Sequence, residues 1–296
     1  MIKWFNNAAQ VTLSEAECAL RDWGIKYQKN PDGSILVPGD LVISGLKLKQ
    51  LPDLSSVEVL GHFNCSDNAL KSLIGCPHAV GGDFKCEQNQ LTSLKGMPAS
   101  VGGSFFCYCN DLTSLEYAPQ SVGKSFMCCT NQLTSLEHAP QSVGGDFLCA
   151  NNKITSLKHV PQSVSGAFWC YNNRLTSLEH APQWVGENFL CFQNNLTSLK
   201  HAPPSIGEKF DCHTNRLESL EGAPTVFKNL NSDFGNFPSW QDVPENLKTS
   251  AETREKLLLE ALEQERRLLE EAVRDATILQ TPIRVSAPLR FKITPK

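Results

Sequence analysis

The stretch FNCSDNALKSL, residues 63–73, decides the fold of this chain because its pattern recurs eight times with a period of 21 residues. In every copy a Phe is followed two residues later by Cys, then by Asn three residues on, and then by two apolar residues of the Leu type three apart. The Phe and Cys pairs, which define repeats 1 to 8, are Phe63/Cys65, Phe84/Cys86, Phe105/Cys107, Phe126/Cys128, Phe147/Cys149, Phe168/Cys170, Phe189/Cys191 and Phe210/Cys212. A fixed period of this length indicates stacked supersecondary units, none of which buries its apolar side alone.

From the sequence, each repeat is expected to contain one short strand and almost no helix. Residues two apart face the same side of a strand, so Phe and Cys are both expected in the core and the residues beside Cys are expected outside. The Asn side chain is expected to bond to backbone groups of its own turn and of the next repeat. The Leu-Thr-Ser-Leu segment then turns the chain, and Pro-x-x-Val returns along the other side in extended form.

The pattern Phe-x-Cys-x-x-Asn-x-Leu-x-x-Leu resembles the leucine-rich-repeat template, with Phe and Cys in the first two Leu places. It looks like the short-repeat bacterial and bacteriophage type and is similar to the repeats of secreted effector ubiquitin ligases from enteric pathogens, although one residue longer. The resemblance covers roughly residues 41–236 and implies a horseshoe whose concave, parallel-stranded face binds proteins. Those ligases carry a catalytic Cys after the repeats, whereas this chain has no Cys beyond Cys212, so ligase activity is not carried over.

The predicted fold class is an α+β repeat, a leucine-rich-repeat solenoid with capped ends. Residues 1–59 are expected to form an N-terminal cap, with a capping box of Ser14 and Glu17, a hairpin, and a divergent first repeat that begins at Leu41. Residues 60–236 are expected to hold the eight repeats and a degenerate ninth that ends at Asn236. The remaining segments are a linker at 237–245, an amphipathic helix at 246–279 and a basic amphipathic strand or tail at 280–296.

The last two segments are candidates for oligomerisation or docking. The helix carries an apolar stripe, and the tail alternates apolar with polar or basic residues, a pattern typical of a strand. The candidate contact residues are Leu258, Leu262, Leu269, Val285, Leu289 and Phe291.

Charge and cysteine content exclude several function classes. A net charge of -4 argues against a nucleic-acid or anionic-membrane surface, which needs clustered cations. No apolar run reaches membrane-spanning length, and residues 1–17 lack the apolar core of a secretory signal. Eight of the twelve cysteines occupy one register of the repeat, so we interpret them as buried small hydrophobes rather than disulfides or zinc ligands. We therefore expect a cytoplasmic protein, in the host cytoplasm if it is a phage or secreted effector.

The functional candidate is a surface that we call the aromatic face. The positions directly before and after the core Cys point outward, and in repeats 3 to 7 most of them are apolar where a solvated sheet should be polar. The aromatic face comprises Phe106, Tyr108, Met127, Leu148, Trp169, Tyr171, Leu190 and Phe192. Aromatic residues and Met are typical anchors of protein interfaces, so we predict that another protein binds here.

Two alternatives remain open. A 34-residue helix at 246–279 spans about 51 Å, close to the ~45 Å of the stacked repeats, so it matches the length needed to cover the aromatic face within the chain or between chains. Alternatively, the protein is structural or self-assembling and pairs through its C-terminal helix and strand.

Catalysis, cofactors and metals are not predicted. His138, His159, His180 and His201 form a row on the return side, but a linear row without carboxylate partners is typical of a solvated surface. Cys129 faces outward without a neighbouring His or Lys column to lower its pKa. We find no nucleophile elbow, phosphate loop or paired catalytic carboxylates, so we expect no enzyme activity.

Overall fold

A computed structural model describes residues 13–278, with side chains described as far as residue 268. The chain divides into two compact units, Met1–Lys248 and Thr249–Lys296. The first unit contains all the repeats, and the second contains one long helix.

Repeats 1 to 6 each contain two short strands, whereas the return segments of repeats 7 and 8 form only isolated bridges. The α-helices and strands of the described residues are as follows. In chain order they are α1 (Glu15–Asp22), β1 (Gln28–Lys29), β2 (Ile35–Val37), β3 (Leu41–Val42), β4 (Val57–Val59), β5 (Phe63–Asn64), β6 (Ala79–Val80), β7 (Phe84–Lys85), β8 (Ser100–Val101), β9 (Phe105–Phe106), β10 (Ser121–Val122), β11 (Phe126–Met127), β12 (Ser142–Val143), β13 (Phe147–Leu148), β14 (Ser163–Val164), β15 (Phe168–Trp169), β16 (Trp184–Val185), β17 (Phe189–Leu190), β18 (Lys209–Asp211), β19 (Asn229–Ser232), β20 (Gly235–Phe237), α2 (Glu245–Lys248) and α3 (Ala251–Ile278).

The first sheet runs through every repeat and confirms the predicted solenoid. Its eleven described strands are ordered β3, β5, β7, β9, β11, β13, β15, β17, β18, β19 and β20, all parallel except the last. Equivalent residues pair across repeats, as Phe126 pairs with both Phe105 and Phe147. The eight repeat Phe side chains are fully buried, with neighbouring ring centres 5.1 to 5.8 Å apart. Beside this ring stack lies a column of the eight core Cys residues, which we call the Cys ladder. The ring stack and the Cys ladder together form the core.

A second, smaller sheet lines the return side. Strands β1, β2, β4, β6, β8, β10 and β12 form one group of seven among the described residues, and β14 pairs with β16 separately. Each parallel strand of this sheet contributes an inward apolar side chain, such as Val101 or Val122, to the same core. Parallel pairing therefore joins most neighbouring repeats on both sides.

The ladder of Asn side chains ties each repeat to the one before it. The Oδ1 atom of Asn110 accepts the backbone N–H of Leu91 at 3.0 Å, and its Nδ2 atom donates to the carbonyl oxygens of Cys86 and Cys107. The predicted bonds to the turn are confirmed, but the inter-repeat bond reaches the preceding repeat rather than the next one. The direction follows from the short turn, which leaves the Asn beside the N–H of the earlier Leu.

Two columns of left-handed residues mark the corners of the repeats. The residue before each ladder Asn has φ between 49° and 55°, and these residues are Asp67, Gln88, Cys109, Thr130, Asn151, Asn172, Gln193 and Thr214. The second column, on the return side, consists of Gly75, Gly96, Tyr117, His138, His159, His180, His201 and Gly222. The row of His residues thus occupies a position where three of the other four repeats use Gly and one uses Tyr117.

The N-terminal cap has the predicted elements. The N–H of Glu17 donates to the Ser14 hydroxyl and the N–H of Ser14 donates to the Glu17 carboxylate, which completes the capping box. The antiparallel hairpin of β1 and β2 joins the second sheet through β4, while Leu41 pairs with Phe63 in the first sheet. The cap therefore starts both sheets.

The C-terminal end of the solenoid differs from the prediction. Asn236 was expected to close a degenerate ninth repeat, but it lies in β20, which turns back antiparallel to β19 after Gly235 at φ 138°. The carboxylate of Asp233 accepts the N–H groups of Thr214 and Asn215, whose equivalents in other repeats donate to backbone carbonyl oxygens of the following repeat. A hairpin thereby ends the stack.

Residues 237–245 are not a linker. Val243 is buried, and Trp240 packs against the core. The N–H of Leu220 donates to the carbonyl oxygen of Leu247 at 2.7 Å. Apolar side chains in this segment seal the last repeat, as a solenoid end requires.

The helix expected at 246–279 is present as two helices. The short α2 belongs to the first unit, and α3 begins after Ser250, whose hydroxyl accepts the N–H of Thr253 at 3.1 Å. Of the helices that the structure describes, none combines the length and apolarity needed to span a bilayer. The predicted strand at 280–296, with Val285, Leu289 and Phe291, lies outside the described residues, as does the side chain of Leu269.

Candidate partner-binding surface

The first sheet brings the predicted surface residues together in two adjacent columns. The residue before each core Cys pairs in register from strand to strand, so Met127 lies between Phe106 and Leu148, and Leu190 follows Trp169. The residue after each core Cys forms the parallel column, in which Tyr108, Tyr171 and Phe192 lie. The aromatic face is thus continuous over repeats 3 to 7.

Burial across the aromatic face is uneven. Seven of its eight predicted residues are half-buried, but Leu148 is only 7% exposed, so its expected role as a surface contact is wrong. Its neighbour Ala150 has no exposed surface. Leu148 pairs in register with Met127 on one side and Trp169 on the other, and both of these larger side chains are half-buried.

The aromatic rings are ordered into a stack along repeats 6 to 8. The ring centres of Trp169 and Tyr171 are 6.0 Å apart and tilted, whereas Tyr171 and Phe192 stack in parallel at 4.4 Å. His213 extends the stack, with its ring 4.7 Å from that of Phe192. His213 directly follows the core Cys212, so it belongs to the same column, one repeat beyond the aromatic face.

A buried carboxylate fixes the last ring of this stack. Asp211 is 3% exposed and accepts hydrogen bonds from Lys209 at 2.7 Å, from the His213 ring and from Asn231. Burial alone would raise the pKa of Asp211, but the hydrogen bonds from Lys209, His213 and Asn231 outweigh it and lower that pKa. The aromatic face therefore ends in a polar network that holds His213 in one orientation.

The opposite end carries charges of both signs. The Lys85 Nζ atom lies 5.5 Å from the centre of the Phe106 ring, a distance at which a cation and an aromatic face attract. Burial raises the pKa of the neighbouring Glu87 carboxyl, whose Oε2 atom has no hydrogen-bond partner among the described residues. Burial also raises the pKa of Tyr108, with Glu87 as a further cause.

Two polar groups within the aromatic face have different environments. The Nε1 atom of Trp169 is buried without a hydrogen-bond partner in the described part of the chain. Burial raises the pKa of the Tyr171 hydroxyl, and a hydrogen bond with the Asn151 side chain, in the preceding repeat, opposes that rise. The Tyr171 ring is therefore held by its stacking, whereas the Trp169 indole N–H has no acceptor among the described residues.

The other sequence candidates do not assemble into a chemical site. Burial raises the pKa of Cys129 to about 11, so it is mainly a thiol at neutral pH. His138 and His180 lie near Glu137 and Glu179 of their own repeats, at 4.0 and 3.8 Å. Within residues 13–278, no three side chains of the metal-binding types gather as a metal site would require.

The fold and this face define a leucine-rich-repeat solenoid with an aromatic outward surface on its first sheet. No protein-family model matches the chain, and no curated protein matches it. Among solved structures, YopM from Yersinia enterocolitica WA-314 is similar, with 21% identity over 65% of this chain and 47% of that chain, and a TM-score of 0.49. The chain spans about half the length of that protein, and a likeness at this level establishes no shared function.

Proposed function

We propose that this protein is a non-catalytic protein-recognition module that binds another protein through the aromatic face. The observation that supports this proposal is the aromatic and aliphatic surface of repeats 3 to 7 on a sheet whose outward positions in repeats 1, 2 and 8 are polar. Half-buried, pre-ordered rings lose little conformational freedom on binding, which favours them as anchors. The stacked pair Tyr171 and Phe192, with Trp169 beside it, is the proposed centre of the interface.

The charges around the face suggest how a partner would be oriented. Lys85 and Glu87 lie at one end, and Lys209 and His213 at the other, so the apolar centre has a polar rim at both ends of the stack. A rim of this kind selects orientation, while the central rings supply most of the affinity.

The test compares capture by the parent chain and two variants. A double variant, W169A with Y171A, removes the proposed anchors, and W184A is the matched control because Trp184 is 49% exposed on the second sheet. A partner of the aromatic face is retained by the parent and by W184A and lost by the double variant. With that partner purified, calorimetry should show that each anchor substitution weakens binding roughly 30-fold or more, which corresponds to about 2 kcal/mol. Equal affinity of all the chains would refute the proposal.

The biological setting proposed is that of a bacterial or bacteriophage effector acting in the cytoplasm, in the host cytoplasm if it is delivered there. The repeat pattern described above supports this setting by resemblance. The twelve cysteines, all free, suit a reducing compartment.

A second candidate function is self-assembly through the C-terminal segment. The described part of α3 exposes a cluster of leucines, with Leu258 61% and Leu262 52% exposed. Exposed Leu residues on one helix are what a helix-to-helix interface between chains would bury. Sedimentation of L258E/L262E beside the parent distinguishes the two functions: assembly through α3 requires a concentration-dependent mass that the variant lacks.

A further inference from the structure

Two cysteines beside the aromatic face differ from those of the Cys ladder. The eight ladder cysteines are 0% exposed, and Cys76 is also buried. Cys109 and Cys129 are half-buried and lie in neighbouring repeats, Cys109 at the corner that follows its strand and Cys129 directly after the core Cys128. The remaining half-buried cysteine, Cys18, is in α1 of the cap.

The backbone places Cys109 and Cys129 next to each other. The N–H of Cys109 donates to the carbonyl oxygen of Cys129 at 3.1 Å. Neighbouring strands lie about 4.8 Å apart, and a disulfide joins Cα atoms roughly 4.4–6.8 Å apart. The two residues are therefore within the separation that a disulfide bridges.

The equivalent positions two repeats later have the same backbone relation. The N–H of Asn151 donates to the carbonyl oxygen of Tyr171 at 3.1 Å, the same relation as that of Cys109 and Cys129. The side chains of that pair lie close enough for Asn151 to oppose the rise that burial causes in the pKa of the Tyr171 hydroxyl, and Cys109 is likewise close enough to Cys129 to add to the rise that burial causes in its pKa. The left-handed φ of 53° at Cys109 and 55° at Asn151 gives both residues the same direction.

We propose that Cys109 and Cys129 form an oxidisable dithiol that a peroxide converts into an inter-repeat disulfide. One thiolate attacks a peroxide oxygen, which gives a sulfenic acid and releases one water. The second thiol then attacks the sulfenic sulfur and displaces its hydroxyl as a second water, which closes the S–S bond. Two thiols thus lose two electrons and two protons, and hydrogen peroxide is reduced to two waters.

Chemistry restricts this reaction to the proposed pair. The ladder thiols are out of reach of solvent, and burial raises the pKa of Cys86 and Cys128 well above the ordinary value. Burial raises the pKa of Cys129 to about 11, so the thiolate is scarce at neutral pH and the reaction is slow. A mildly alkaline buffer and incubation over hours are therefore suitable. The proposal does not depend on the partner-binding function, since it concerns the isolated chain.

The experiment treats the full-length chain with hydrogen peroxide and maps the product. Free thiols are first blocked under denaturing conditions with one alkylating reagent, the disulfides are then reduced, and the released thiols receive a second reagent. Trypsin separates the two cysteines, because cleavage after Lys95, Lys124 and Lys153 yields peptides 96–124 and 125–153. The expected result is the second label on Cys109 and Cys129 together, on a monomeric chain.

Two matched variants make the outcome decisive. C109S should lose the second label on Cys129 by at least about tenfold, since its partner is gone. C18S should crosslink like the parent, because Cys18 lies in the cap. Three results would each overturn the proposal. They are the second label on cysteines of the Cys ladder, a disulfide between two chains, and the absence of any disulfide after the sulfenic acid has formed. The result for the parent stands even if C109S fails to fold.

Discussion

The side-chain oxygen of Asn131 accepts the backbone N–H of Leu112 in the preceding repeat, at 3.0 Å. The amide nitrogen of the same side chain donates to the carbonyl oxygens of Cys107 and Cys128, at 3.0 and 3.2 Å. One buried amide therefore satisfies three backbone groups that the turn leaves without strand partners. This relation repeats along the stack and explains why Asn occupies the position in all eight repeats.

Replacing this amide should be costly. Asn131→Ala leaves a buried N–H and two carbonyl oxygens with unmet hydrogen bonds, and we expect the free energy of unfolding to fall by about 2 kcal/mol or more. Urea denaturation followed by circular dichroism measures the change. The control is Gln132→Ala, at the exposed residue that follows, where we expect a change within about 0.5 kcal/mol. An equal effect of the two substitutions would mean that the ladder contributes little.

The columns that the repeat fixes were predictable from sequence because one residue type fills each of them. The Phe, Cys and Asn columns each imply a buried or bonded position, and the structure places them so. The left-handed column before Asn was not predictable, since it holds residues as different as Asp67, Cys109 and Thr130. Its conformation is imposed by the corner and not by the residue.

The return-side left-handed column offers a stability test. His159 has φ 75°, whereas Gly occupies the same position at Gly96, where an added Cβ would lie 2.4 Å from the Leu73 carbonyl oxygen. Glycine adopts positive φ without the steric cost that other residues meet. His159→Gly should therefore raise the free energy of unfolding by about 0.5–1 kcal/mol.

The matched control for this variant is Lys158→Gly. Lys158 is exposed and precedes His159, and its φ is not positive. Glycine there only increases the freedom of the unfolded chain, so stability should decrease by about 0.5–1 kcal/mol. Opposite signs in the two urea titrations are the expected result, and a loss of stability in both would contradict it.

The Glu87 carboxyl, at the N-terminal end of the aromatic face, predicts that the stability of the fold depends on pH. Burial raises the pKa of Glu87 above its ordinary 4.5, so the native state disfavours the ionised form. When folding raises the pKa of a carboxyl group, the contribution of that group to the free energy of unfolding is complete below its unfolded-state pKa. This contribution is lost as the pH rises through the folded-state pKa. Glu87→Gln should therefore be more stable than the parent at about pH 7 and equal to it at about pH 4.

The urea midpoint at these two pH values measures this effect. Glu116→Gln is the control, because Glu116 is exposed in the next repeat and its substitution should leave the midpoint unchanged at both values. A gain in stability that is the same at both pH values would show that packing, and not ionisation, is responsible.

The candidate surface was only partly predictable for a related reason. Strand alternation identified which residues face outward, and that part of the prediction follows from backbone geometry alone. Alternation gives the direction of a side chain and not its depth, so the burial of Leu148, which is 7% exposed, was missed. Nor does it report that His213, held by Asp211, continues the ring stack beyond the apolar repeats.

The state of the aromatic face in the free protein can be tested by removing the second unit. If the face is open to a partner, a chain ending at Lys248 should show the same hydroxyl-radical labelling of Trp169 and Tyr171 as the full-length chain. The cut keeps Val243 and Leu247, which pack against the last repeat, so the end of the core stays sealed. Trp184, exposed on the second sheet, serves as the internal reference. Stronger labelling of Trp169 and Tyr171 in the shortened chain, with Trp184 unchanged, would instead show that residues 249–296 cover the face and that a partner must displace them.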